Sequence, residues 1–75
     1  MVLDKVKKIV ANQMHIAVDD VHDTTSFRDL EADSLDVVEV IMAVESEFSI
    51  ILPDEVVETF KNVSDLAKYI EEQLR

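Results

Sequence analysis

The stretch Asp33-Ser34-Leu35-Asp36-Val37-Val38-Glu39-Val40-Ile41-Met42-Ala43-Val44-Glu45-Ser46-Glu47-Phe48 decides the fold. Val37, Val40, Ile41, Val44 and Phe48 recur at three- and four-residue spacing, which sets them in one stripe along a helix. Asp33 stands directly before that stripe, where its carboxylate can accept hydrogen bonds from the free N–H groups of the first turn. Ser34 then falls where those N–H groups and the helix dipole favour an anion, so its hydroxyl is well placed to carry a phosphate ester. A second apolar row, Leu35, Val38 and Met42, runs down a different side below the serine. Glu39, Glu45 and Glu47 border it. On an arbitrary helix such a row would extend the core contact; below this serine and fringed with acids, it reads as a surface for partners.

Working outward, Val6, Ile9, Val10 and Met14 give an amphipathic first helix from Val2 or Leu3 to Met14. Lys5, Lys7 and Lys8 on its other sides are expected to be solvated. Residues 15–32 lack periodicity and read as a long loop, pinned by Ile16, Val18, Val21, Phe27 and Leu30. Asp23-Thr24-Thr25-Ser26 favours turns, because these side chains bond locally to the backbone. After Leu52, Pro53 suits the first position of a short helix that runs to Phe60, with Asp54 and Glu55 in its first turn and Lys61 at its end. Asn62, with Asp65 three residues on, resembles a cap for a last helix whose buried stripe is Val63, Leu66, Ala67, Ile70 and Leu74. Tyr69 is expected at the packed rim. The fold class expected is all-α: a small antiparallel four-helix bundle, three main helices plus one short one, with a long loop between the first two.

At 75 residues the chain makes one domain, 1–75, that buries roughly 60% of its unfolded surface and has little room to enclose an elaborate active site. It contains no cysteine, so any thiol chemistry must come from an attached group. His15 and His22 are expected to be exposed loop residues; neither is near Ser34 in sequence, and no glycine is present to build a nucleophile elbow. Ser34 therefore reads as a modification site, with no catalytic residue in the chain.

The net charge is −10 and it is concentrated. Asp29, Glu31, Asp33, Asp36, Glu39, Glu45, Glu47, Asp54, Glu55 and Glu58 lie in a stretch without Lys or Arg, while acids and bases balance elsewhere. Such a face is expected to dock basic partner patches, with fast and salt-sensitive association. It would repel nucleic acid. Weak divalent binding to the face is expected, without a specific metal site, since no twelve-residue calcium loop with its glycine occurs. No apolar run approaches a membrane span and the N-terminus lacks a signal-peptide pattern, so the expected setting is the cytoplasm, or an organelle after removal of a targeting segment.

Asp33-Ser34-Leu35 resembles the attachment motif of the acyl carrier proteins, and the likeness continues from Ala32 to Phe48, through Leu52-Pro53-Asp54-Glu55, and into the spacing of Ser26-Phe27, Asp29-Leu30 and the last helix. The resemblance implies that a phosphopantetheinyl transferase moves 4′-phosphopantetheine from coenzyme A onto Ser34, with Asp33, Leu35 and Asp36 completing the motif. The arm's thiol would hold acyl chains as thioesters for fatty acid synthesis. The partners implied are the acyl transferase, condensing enzymes, reductases and dehydratase, docking on Asp36, Val38, Glu39, Met42, Glu45, Glu47, Asp54 and Glu55 of a monomer. Val40, Ile41, Val44, Val56, Val57 and Phe60 would lie near the cavity for the acyl chain. Within the family, the alternative is a discrete carrier for polyketide, aminoacyl or other specialised acyl chemistry; outside it, a non-carrier acidic interaction module. Glu31 departs from the family pattern, standing where glycine is usual, and any left-handed turn there would be strained. Ser46 and Ile51 replace positions that are often acidic, and Phe60 replaces a smaller aliphatic residue.

Overall fold

A computed structural model describes residues 2–75. Four α-helices are present, α1 (Val2–Met14), α2 (Ser34–Phe48), α3 (Asp54–Val57) and α4 (Val63–Gln73), with a 3₁₀ turn at Val18–Asp20 that local sequence did not announce. No strand occurs among the described residues. The all-α bundle expected from the periodicity is the fold.

Helix α1 packs across both α2 and α4. The three contribute Val6, Val10 and Ala11, then Val40, Ile41 and Val44, then Val63, Leu66, Ala67 and Ile70, and the loops add Val21 and Leu52. Seven of these side chains lose all contact with solvent. Cutting Leu66 back to alanine would cost about 2–5 kcal/mol, much of what holds a domain of this size together.

Several expectations are corrected. Leu74 is 50% exposed, because α4 stops at Gln73 and Leu74 forms its C-cap, so the buried stripe ends at Ile70. Val18 is exposed on the 3₁₀ turn and anchors nothing. The short helix spans four residues and buries none fully; beyond Val57 the bonds shift to the tighter Thr59 N–H to Val56 O and Phe60 N–H to Val57 O pattern. Pro53 is its N-cap rather than its first residue, and the Pro53 carbonyl accepts from Val56 and Val57. Two lysines of α1 are engaged rather than free: Lys7 Nζ pairs with Asp23 Oδ1 at 2.6 Å, and Lys5 Nζ lies 5.9 Å from the centre of the Phe48 ring.

The long loop is tied at both sides. The Thr25 hydroxyl oxygen accepts from His22 N–H at 2.8 Å, and Ser26 and Asp29 exchange side-chain-to-backbone bonds that cap a turn leading to Leu30. The carbonyls of Thr25 and Asp23 accept from Val63 and Ser64 N–H, both at 3.0 Å, so the loop satisfies donors that the first turn of α4 leaves free. Asn62 Oδ1 caps the same turn at Asp65 N–H, while Asp65 Oδ2 accepts from Lys61 N–H.

The chain contains no glycine, yet three turns demand a left-handed residue. His15 (φ 57°), Glu31 (φ 55°) and Ser49 (φ 55°) fill them. After His15 and Glu31 the chain closes in the same way, Ile16 N–H reaching Ala11 O and Ala32 N–H reaching Phe27 O. Each side chain costs roughly 1 kcal/mol in that conformation.

Candidate functional site

The turn ending at Glu31 delivers the chain to Asp33, whose backbone is extended (φ −87°, ψ 180°) and whose Oδ1 accepts from Asp36 N–H at 2.9 Å. Asp36 Oδ2 returns the bond to Asp33 N–H at 3.3 Å. This reciprocal box fixes the start of α2 and commits one oxygen of each carboxylate to the backbone. Ser34 is the first residue of the helix and is exposed. Its own N–H and that of Leu35 are among the donors that have no partner within the helix. An ester phosphate on the Ser34 oxygen would sit beside these donors and at the positive end of the helix dipole.

Beside Ser34 opens a hollow of about 560 Å³, walled by Phe27, Val37, Val57 and Phe60 and edged by Asp33 and Glu58. A narrower one of about 190 Å³ lies further along α2, between Ile41, Met42, Glu45, Leu52 and Val57. Val37, Val38, Asp54 and Val57 border both, making one apolar trough between α2 and α3 that starts at the serine. Of the residues expected near a cavity, Ile41, Val57 and Phe60 line this trough. Val40 and Val44 are fully enclosed in the core behind it, and Val56 is half-buried on α3 and lines neither hollow. Phe60 also meets Tyr69, ring centres 5.7 Å apart and planes tilted by 58°. Phe27, read from sequence only as a loop anchor, doubles as a wall; its chain distance from α2 hid that.

The second row of α2 faces outward: Leu35 is 65% exposed, Met42 62% and Val38 50%. Glu39, Glu47, Asp54 and Glu55 are exposed around it. Glu45 differs. It is half-buried, and its Oε2 accepts a 2.8 Å bond from Leu52 N–H, a structural duty that its place in an acidic row did not reveal. His15 and His22 are exposed and lie outside this region.

A family model described as "Phosphopantetheine attachment site" matches residues 4–70. The chain belongs to the acyl carrier protein family. Two acyl carrier proteins of Brachyspira hyodysenteriae are each 51% identical to it over 72 residues, covering 93% of this chain and 92% of theirs. A solved structure of acyl carrier protein from Enterococcus faecalis, 38% identical, superposes with a TM-score of 0.78 over 95% of this chain and 91% of that one. Membership makes this chain a carrier rather than a catalyst, with covalent 4′-phosphopantetheine as its group. The exposed serine, the two free donors and the apolar trough fit such a group: an anionic root, a flexible arm and an apolar cargo. No helix of this carrier, among the described residues, is long and apolar enough to cross a membrane.

Proposed function

We propose that this carrier bears 4′-phosphopantetheine on Ser34 and carries growing acyl chains in fatty acid synthesis. The observation that supports the reading best is the placement of an exposed serine as the first residue of α2, at the mouth of an apolar trough. The attached group supplies the thiol on which acyl chains are held as thioesters. The chain's own residues supply position and shelter. Asp33 and Asp36 hold the helix start rigid, so the hydroxyl is presented in one geometry to the transferase. Leu35 beside it offers an exposed apolar contact.

Each methylene withdrawn from water contributes about 0.8 kcal/mol, so even part of a fatty chain gains by entering the trough. Val37, Ile41, Val57 and Phe60 are the walls it would touch, with Val40 and Val44 in the core behind them. The short α3, with no fully buried residue, is the wall that can move to admit the chain. Glu39, Glu47, Asp54 and Glu55 steer basic patches of the transferase, acyl transferase, condensing enzymes, reductases and dehydratase, while Val38 and Met42 supply apolar contact. Asp36 and Glu45 add charge to that face. On this reading the carrier acts as a monomer, in the cytoplasm or, as a mature form, in an organelle.

The test is an intact-mass spectrum after incubation with coenzyme A and a broad phosphopantetheinyl transferase, beside Ser34→Ala. A gain of one phosphopantetheine, absent in the variant, is expected; no gain on folded protein would overturn the attachment. Elongation by purified fatty acid synthesis enzymes then decides the pathway, since a carrier for specialised acyl chemistry would load and fail to elongate.

A further inference from the structure

Arg28 and Lys61 flank, in sequence, the stretch that holds ten acids and no base. The fold brings them to one place. With Ser26, Phe27 and Phe60 they line a hollow of about 440 Å³. Phe27 and Phe60 are also walls of the hollow that contains Ser34, so the two depressions adjoin across this aromatic pair.

Neither cation is spent on a carboxylate. Among the described residues the ion pair is Lys7 with Asp23, away from this hollow. Two neighbouring acids have an oxygen committed to backbone: Asp29 Oδ2 accepts from Ser26 N–H at 3.3 Å, and Asp65 Oδ2 accepts from Lys61 N–H at 2.9 Å. On the Ser34 side the charges have the opposite sign, with Asp33, Asp54 and Glu58 around the opening. A carboxylate at the far end of an arm rooted at Ser34, beyond the donors that hold the phosphate, is thus repelled by these acids and attracted across the aromatic wall.

Resting on Ser34 as the attachment point, we propose that the Arg28–Lys61 hollow receives the free carboxylate of a dicarboxylic acyl group carried by the arm. The Arg28 guanidinium can meet two oxygens of such a group in one plane, and Lys61 adds a point charge. The flanking phenyl rings shield the methylenes of the arm from water. A neutral acyl chain gains nothing from the two cations and takes the trough between α2 and α3 instead.

The carrier is loaded with succinyl-coenzyme A carrying ¹³C at the free carboxylate, in the wild-type chain and in R28A/K61A, both substitutions being of exposed residues. Circular dichroism confirms that the variant is folded, and intact mass confirms loading. A carboxylate held in the hollow titrates about half a pH unit lower in the wild type than in the double variant. If instead the ³¹P resonance differs between the two proteins while the carboxylate titrates alike, the cations act on the phosphodiester and the proposal is overturned. If neither signal differs, the proposal is overturned, although loading stands. Absence of loading overturns the attachment at Ser34, a separate failure visible in the mass spectrum alone.

Discussion

Glu45 and Leu52 join the end of α2 to the segment that enters α3 through a single bond, Glu45 Oε2 to Leu52 N–H at 2.8 Å. Leu52 is almost fully buried, so its N–H has little access to water. Removing the acceptor with Glu45→Ala is expected to cost about 1–2 kcal/mol in a urea titration, while Glu45→Gln, which keeps an acceptor oxygen, loses less. Exposed Glu39 makes no such bond. Glu39→Lys is therefore expected to stay within about 0.5 kcal/mol of the parent and yet slow turnover with partner enzymes, most visibly at low salt. Normal turnover of the Glu39 variant would remove it from the docking surface.

At Glu31 the backbone φ of 55° is one that glycine adopts freely. Glu31→Gly is expected to raise stability slightly, by up to about 0.5 kcal/mol, after the extra entropy of glycine in the unfolded chain is set against the relieved strain. Glu31→Val should do the reverse, since a β-branched side chain is worse there. Equal thermal midpoints for the two variants would contradict the strain.

Asp33 holds the first turn of α2, so Asp33→Ala is expected to cost roughly 1 kcal/mol. Because the serine's presentation depends on that turn, the same variant should also be loaded more slowly by the transferase. Asp33→Asn keeps an acceptor for Asp36 N–H and recovers much of the stability. Asn restoring nothing would point to charge, rather than capping, as the contribution of Asp33.

The carboxyl of Asp23 is held below its ordinary range, chiefly by its hydrogen bond to Lys7. A depressed carboxylate binds protons less readily in the folded chain than in the unfolded one. Its contribution is therefore present above the unfolded value and is lost as pH falls through the folded one. Asp23→Asn should show a smaller loss of thermal midpoint on acidification than the parent. Parallel curves would mean that the pair is screened by solvent to no effect.

Periodicity carried most of the architecture. The stripe Val40, Ile41 and Val44, the cap at Asp33 and the outward row of Leu35, Val38 and Met42 all lie within one helix, where spacing translates directly into side. What spacing could not convey was tertiary. Nothing local distinguishes Glu45 from Glu47, yet one accepts a bond from another segment and the other faces solvent. Spacing predicts too long an α3 because acids and valines at helical spacing run on to Phe60, while the chain tightens after Val57. The hollows at Ser34 and at Arg28–Lys61 needed the loop and α3 side by side, a juxtaposition absent from any window of sequence.

The bonds from Val63 and Ser64 to carbonyls of the long loop reach beyond static architecture. The first turn of α4 is completed by residues far upstream, so a peptide that begins after the long loop would carry that turn frayed, and the full chain cannot finish it until the loop has closed. Docking of α4 and closure of the loop are consequently one cooperative event. Amide exchange at Val63 and Ser64 should then proceed only when the whole domain opens, making these two positions reporters of global unfolding although one of them lies near the surface.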